Sequence, residues 1–411
     1  MTFDQFELDS RLLPAVERAG YQTPTPIQSA TIPAALAGQD LIGTAQTGTG
    51  KTAAFVLPIL HRLLSGPRGR VRAVIVTPTR ELATQIHEVI LSFSRGTRIR
   101  SATVFGGVGS GPQMRAFRDG VEILVACPGR LLDHLGQRHV NLSGVEILVL
   151  DEADRMLDMG FLPSVSRILE YLPDRRQTMM FSATFPPEIE HLSARALRDP
   201  HRIAVGAARP AQTVAHAIFP VERHQKTPLL LALLEETDTD SVLVFTRTKH
   251  GARKLARQIE KSGHKVASLH GDRSQRERQS ALDGFKSGAY RIMVATDLAA
   301  RGLDVESISH VINYDMPDTV DAYIHRIGRT GRAERLGDAF TLVTWEDRDQ
   351  VLALEKLLGA PLDRKAVAGF ESSSVMLEAS FSAAGSSRKA SNGCRHFAPK
   401  RRRREHSVTC W

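Results

Sequence analysis

The chain has 411 residues, enough for two domains of ordinary size plus a tail. Hydrophobic residues make up 42% and charged residues 24%, which excludes a fibrous or wholly disordered chain, and no run approaches the ~20 apolar residues that cross a bilayer. The net charge is +9, but the segment from Gly369 onward holds eight Lys and Arg against three acids, so the remainder is only mildly basic and bulk charge does not identify a partner.

Met1–Ser10 carries acids and no apolar core, so it does not read as a secretory signal. The cysteines Cys127, Cys394 and Cys410 form no CxxC pair, which argues against a zinc or disulfide framework and fits a reducing cytoplasm. Buried strands are expected at Val71–Thr77, Val121–Ala126, Ile147–Leu150 and Thr178–Phe181. Helical patterns follow them at Glu81–Phe93, Gly129–Gln137, Ser164–Tyr171 and Pro187–Leu197. A second series places strands at Ser241–Phe245, Val266–Leu269, Arg291–Ala295, His310–Asn313 and Ala339–Val343, with helices at His250–Lys261 and Gln275–Phe285. Apolar strands alternating with helices predict an α/β fold with two tandem domains, each a parallel sheet covered on both faces. The small-residue and proline segment Val205–Thr213 marks the boundary. The expected organisation is residues 1–206, a linker at 207–213, residues 214–368, and a Ser-rich, basic, disordered tail at 369–411.

Ala45-Gln46-Thr47-Gly48-Thr49-Gly50-Lys51-Thr52 follows the apolar pair Leu41–Ile42 and precedes a helical run. This is the setting of a P-loop, with Ala45 where the general pattern has Gly. Glycines let backbone N–H groups curl round phosphate oxygens, and a helix N-terminus adds favourable dipole. Lys51 would neutralise β/γ-phosphates and the Thr52 hydroxyl would ligate Mg2+. Asp151-Glu152-Ala153-Asp154 comes directly after the apolar run Ile147–Leu150, at a strand end where open α/β sheets place ligands. Asp151 would hold the magnesium through its water shell, and Glu152 would orient and deprotonate an attacking water. An acidic helix N-terminus is the plainer alternative for this tetrad.

With these motifs in order, residues 1 to about 368 resemble the DEAD-box ATP-dependent RNA helicases, built from two RecA-like domains. Phe3-Asp4, Tyr21–Gln28 and the joint Arg209-Pro210 through Phe219–Val221 resemble the bacterial RhlE-like branch. The resemblance implies ATP as cofactor, with Gln28 reading adenine, Phe3 on the base and Tyr21 nearby. It implies that Ser182-Ala183-Thr184 couples Asp154 and the rest of the tetrad to domain closure. Arg329 and Arg332 would reach the γ-phosphate across the cleft, His325 would bridge toward the tetrad, and Asp304 would contact the ribose. An RNA track is implied at Pro78, Thr79, Arg80, Gly106, Gly107, Pro128, Gly129 and Arg130 on the first domain. On the second it is implied at Thr246, Arg247, Gln275, Arg278, Thr296 and Asp297. Such loops grip sugar and phosphate without reading sequence. Cys127 stands where the family usually has Thr, which removes a hydroxyl.

The activity so implied is local separation of RNA strands by ATP- and RNA-driven closure. A DNA translocase on the same scaffold, an ATP-gated RNA clamp needing a partner, and a metal nuclease are the rival readings. Lys400–Arg404 either adds salt-sensitive RNA affinity or is a solvated extension. The expected setting is a cytoplasmic monomer that binds RNA and no membrane, in contact with ribosomal precursors or the RNA-decay machinery.

Overall fold

The computed structural model describes residues 2–44, 49–205, 214–237, 240–300, 308–331 and 337–370. Thr47, Gly48, Asp304, Arg332, the expected linker and the tail beyond 370 lie outside the described residues.

Two seven-stranded sheets account for the architecture. The first contains β1 (Leu41–Thr44), β2 (Ala73–Val76), β3 (Ser101–Val104), β4 (Ile123–Ala126), β5 (Ile147–Leu150), β6 (Gln177–Ser182) and β7 (His201–Ala204). Its order is β3-β4-β2-β5-β6-β1-β7. The second contains β8 (Val214–Pro220), β9 (Val242–Thr246), β10 (Val266–Leu269), β11 (Ile292–Thr296), β12 (His310–Asn313), β13 (Gly337–Val343) and β14 (Asp363–Arg364). Its order is β10-β11-β9-β12-β13-β8-β14, the same plan strand for strand, and every pairing in both sheets is parallel. These are tandem RecA-like domains.

The period-2 alternation of the strands sends side chains to two cores per sheet. In β2, Ala73 and Ile75 join Phe55, Ile86 and Ile123 on one face, while Val74 and Val76 join Leu124, Leu148 and Leu150 on the other. In β9, Val242 and Val244 face the side opposite Leu243 and Phe245. Both faces being covered explains why the central strands read as continuous apolar runs. No helix among the described residues is long and apolar enough to cross a membrane.

Ile147–Leu150, Val266–Leu269 and His310–Asn313 are strands at the expected bounds. β3, β7, β8 and β14 were not anticipated. Edge strand β3 is half-buried and β7 mostly exposed, so neither needs an apolar run, and β8 ends in Pro220 within a segment read as a joint.

Asp40 fixes β1, the strand that leads into the expected phosphate loop. Its Oδ1 accepts the Thr178 N–H and its Oδ2 the Arg198 N–H, each at 2.7 Å, while its carbonyl accepts the His201 N–H at 2.8 Å. One carboxylate thus clamps β1 between β6 and the turn into β7. Asp40→Ala leaves two backbone N–H groups without their acceptor and should cost about 2 kcal/mol, read as a lowered urea midpoint.

Candidate active site

The acidic and basic side chains of the two domains meet at the C-terminal ends of the strands. Residue Lys51 opens the helix Lys51–Leu63 and is only 7% exposed. Gly50 precedes it with φ 93°, and a Cβ there would stand 2.5 Å from Gln28 Nε2, so this position excludes any side chain.

Gln28 sits in the first turn of helix Pro26–Leu36 and is 1% exposed, not a surface residue. Its Oε1 accepts the Thr25 N–H at 2.9 Å, while its Nε2 donates to the Gly50 carbonyl at 3.1 Å. The Thr25 hydroxyl donates to the Thr49 carbonyl at 2.8 Å. The N-terminal segment is thereby tied to Thr49 and Gly50, and each end of the Gln28 amide retains one further hydrogen-bonding position. Phe3 is buried; its ring packs edge-on against Phe6 and Tyr21, and Tyr21 packs edge-on against Phe93.

Asp151 and Glu152 follow β5 and are each 3% exposed. Burial pushes the Asp151 carboxyl up to about 6 against the pull of Lys51, with the charge of Glu152 adding to the rise. Glu152 adopts a left-handed backbone conformation, φ 55° and ψ 53°, a strained choice for a residue other than glycine. Its Oε2 pairs with Arg155 Nη1 at 2.8 Å, and its Oε1 is buried with no hydrogen-bond partner. Arg155, itself 3% exposed, was missed by the sequence reading; a basic residue three positions after Glu on one helical turn is the signal that could have found it.

The Asp154 carboxylate receives the Ser182-Ala183-Thr184 segment. Its Oδ2 accepts the Ala183 N–H at 3.0 Å, the Thr184 N–H at 3.1 Å and the Thr184 hydroxyl at 3.4 Å. In return the Asp154 N–H donates to Ser182 Oγ at 3.1 Å, and that hydroxyl donates to the Thr184 carbonyl at 2.7 Å.

From the second domain, helix Val320–Ile327 brings His325 to this cluster. Burial pushes its imidazole down to about 4; the charges of Arg155 and Arg329 act the same way, and Asp154 and Glu152 oppose. Arg329 is buried and lines one cavity with Arg155 and His325. Arg326, part of the arginine motif but given no role from the sequence, binds Asp297 through two bonds of 2.6 Å and donates to Asn313 Oδ1 and the Asp315 carbonyl. The Asp297 carboxylate is therefore neutralised inside its own domain.

The residues assigned to an RNA track lie in loops, at strand ends and at helix starts of both domains. Pro78 and Thr79 lead into helix Arg80–Phe93, with Thr79 Oγ1 accepting the Leu82 N–H at 3.3 Å. Arg80 Nη1 donates to Gln275 Oε1 at 3.3 Å and Arg278 pairs with Glu81 at 2.6 Å, both across the cleft. Gly106 and Gly107 pass close to the Arg80 guanidinium. Pro128 and Gly129 open helix Pro128–Gly136, and Arg130 donates to the Val108 carbonyl at 3.3 Å. Thr246 and Thr296 end β9 and β11 and are buried. The Arg247 N–H donates to Asp315 Oδ2 at 2.9 Å and its guanidinium lies 3.4 Å from Asp318. Cys127 caps helix Pro128–Gly136 without a side-chain hydrogen bond, and burial pushes its thiol up to about 12.

The donor set fits a hard divalent cation. Among the described residues no three His, Cys, Asp or Glu side chains form a metal cage, and magnesium commonly takes one or two protein oxygens with phosphates and water completing its shell. The raised Asp151 and the unpartnered Glu152 Oε1 mark buried acceptors that a nucleotide-bound cation and water would satisfy.

A DEAD/DEAH box helicase model matches residues 25–192, and a helicase conserved C-terminal domain model matches residues 225–334. The DEAD-box ATP-dependent RNA helicase CshA of Bacillus subtilis is 39% identical over 365 residues, covering 89% of this chain and 74% of that protein. DEAD-box ATP-dependent RNA helicase 30 of Arabidopsis thaliana is 44% identical over 364 residues, 87% of this chain; the chain spans 61% of that relative's length. Among solved structures, S. cerevisiae Dbp5 bound to RNA and ADP BeF3 superposes with a TM-score of 0.82 at 29% identity, over 92% of this chain and 99% of that one.

Cys127→Thr restores a side-chain cap to helix Pro128–Gly136 and should stabilise the protein by about 1 kcal/mol in urea denaturation. RNA affinity should rise modestly in the same variant, measured by fluorescence anisotropy.

Proposed function

This chain belongs to the DEAD-box family of ATP-dependent RNA helicases, and from that premise we propose that it separates RNA strands locally by closing its two RecA-like domains on ATP and one RNA strand. The domains run over residues 1–206 and 214–368, joined by residues 207–213, with 369–411 as a basic tail. Gln28, with Phe3 and Tyr21 near the base, selects adenine; Thr47, Gly48, Thr49, Gly50 and Lys51 hold the phosphates; Asp304 holds the ribose. Thr52 and Asp151 would hold a magnesium ion, which when bound supplies positive charge to the phosphate oxygens.

Glu152 is the observation that carries this reading. Arg155 fixes one carboxylate oxygen and leaves the other, Oε1, buried and unpartnered, as a general base requires. Glu152 takes the proton of a water that attacks the γ-phosphorus, and the bond to the β-phosphate oxygen breaks. Arg329 and Arg332 stabilise the charge on the transferred phosphoryl group; fingers of this kind contribute about 10³–10⁵ in rate. Because they belong to the second domain, hydrolysis depends on closure. Asp154 passes the state of the nucleotide site to the Ser182–Thr184 segment, and His325 joins the same cluster from across the cleft.

RNA enters through the track on the two domains, and the pairs Arg80–Gln275 and Arg278–Glu81 support closure and RNA grip as one event. ATP and single-stranded RNA both prefer the closed state, so together they shift the population toward it, and phosphate release reopens it. The segments Phe3-Asp4 and Tyr21–Gln28 support the RhlE-like branch. A cytoplasmic monomer acting on ribosomal precursors or decaying messages is consistent with this chemistry.

Steady-state ATPase should rise strongly with single-stranded RNA and not with DNA of matching sequence; equal stimulation by DNA would move the protein to the translocase class. Glu152→Gln should lower kcat by about 10²-fold or more while ATP and RNA still bind, and near-normal turnover would remove the general-base role.

His325 sets a pH dependence. In the closed state its imidazole titrates near 4, and in an open, solvated state near the ordinary 6.5. The closed state therefore binds fewer protons. Its advantage is full above pH 6.5 and declines as pH falls toward 4. ATP-dependent RNA affinity should weaken across that window in the wild type and weaken less steeply in His325→Asn, where Asp151 still titrates.

A further inference from the structure

The second domain carries a groove that none of the roles above uses. β10 is the outermost strand of its sheet, and helices Lys249–Lys261 and Gln275–Lys286 rise on either side of it to enclose a cavity of about 730 Å³. His270, directly after β10, lines the cavity and is 2% exposed, yet neither of its ring nitrogens has a hydrogen-bond partner. Buried polar groups are nearly always partnered, so a side chain bare at both nitrogens leaves a donor and an acceptor for water or a polar ligand.

The surrounding charge indicates the sign of that ligand. Arg253 and Arg257 enter from one wall, Arg273 and Arg276 from the other. Of the nearby acids, Asp272 is taken by Lys249 at 2.9 Å and Arg253 at 3.0 Å. Glu277 is taken by Ser274 and by Arg273, with its Oε2 accepting the Ser274 N–H at 2.9 Å and hydroxyl at 2.7 Å. Glu260 stands at the far end of the wall. Arg257 and Arg276 are exposed and make no ion pair among the described residues, so two guanidinium groups face the groove uncommitted.

The groove is also continuous with the cleft. Helix Gln275–Lys286 turns Gln275 and Arg278 toward the first domain. Arg276, Ser280 and Tyr290 line both this groove and a second cavity of about 1130 Å³ that reaches Gly107 and Val108. Tyr290 is 37% exposed, and its ring lies so close over Gly284 that a Cβ there would stand 2.5 Å from Cε2. A ring held flat at the crossing between two cavities is a stacking platform of the kind single-stranded nucleic acids use.

We propose that this groove is a second phosphate-binding site for RNA, holding the strand after it leaves the interdomain track. Tyr290 stacks a base at the crossing, and Arg257, Arg276 and His270 receive the phosphodiester oxygens beyond it. The site rests on the RNA reading of the track, but it acts only on strands long enough to reach past it.

Anisotropy titrations of the full chain with a hydrolysis-resistant ATP analogue test this with two oligouridylates, about 8 and about 20 nucleotides long. Arg257→Ala/Arg276→Ala should weaken binding of the longer strand about tenfold and reduce the magnitude of its log–log salt slope by about 1.4, for two lost contacts to single-stranded RNA. Binding of the shorter strand, and its stimulation of ATP hydrolysis, should stay unchanged, and His270→Asn should follow the same pattern. Equal losses on both lengths, or none on the longer, would overturn the proposal. Inorganic tripolyphosphate should displace the longer strand to short-strand affinity in wild type and have no such effect on the double variant. Tripolyphosphate binding at the groove without any length dependence would assign it to a free polyphosphate and overturn the RNA assignment. If the short strand fails to stimulate the wild type at all, the track reading falls and takes this proposal with it.

Discussion

Everything in the cleft depends on how charge is buried at the end of β5. Asp151, Glu152, Asp154 and Arg155 are each 7% exposed or less, and they follow one another within a single turn of chain. Like charges so placed raise one another's proton affinity unless each is given a specific partner. Here the partners are separate. Lys51 faces Asp151, Arg155 takes one oxygen of Glu152, and the Ser182–Thr184 backbone takes Asp154. Each pairing draws a different element toward the same point, so the charge arrangement also fixes where Lys51, the Glu152 carboxylate and the Ser182–Thr184 segment meet.

The repeated sheet order gives this arrangement its second half. Both domains present the C-terminal ends of parallel strands, where helices begin and backbone N–H groups point outward. Placed against each other, these ends bring His325 and Arg329 to the acidic cluster and Gln275 and Arg278 to helix Arg80–Phe93. On the proposed reading one closing motion serves both ligand surfaces. On that reading neither surface is complete on one domain, so coupling between them would follow from topology.

The sequence was most legible where function demands a local pattern. The expected phosphate loop, the acidic tetrad and the arginine-rich segment each carry a short motif, and the central strands read as apolar runs. Edge strands such as Ser101–Val104 and His201–Ala204 escaped because half-exposed strands carry no such run. Arg155 and Arg326 escaped for another reason. Their importance lies in burial and in partners, Glu152 for one and Asp297 for the other, and a basic residue on a helix looks the same in sequence whether it is solvated or buried. Gln28 lies between these cases. The resemblance assigned Gln28 to adenine, but neither its capping box with Thr25 nor the burial of its amide against Gly50 was read from the sequence.

The central claim is that ATP and RNA act together to close the two domains. Its most direct measurement is the interdomain distance by fluorescence energy transfer, with labels at Leu91→Cys and Leu352→Cys, both exposed positions, in a chain carrying Glu152→Gln and with Cys394 and Cys410 replaced by Ser. A short distance that dominates only when ATP and single-stranded RNA are both present is the predicted result. Closure by ATP alone, or a distance that no ligand changes, would contradict it.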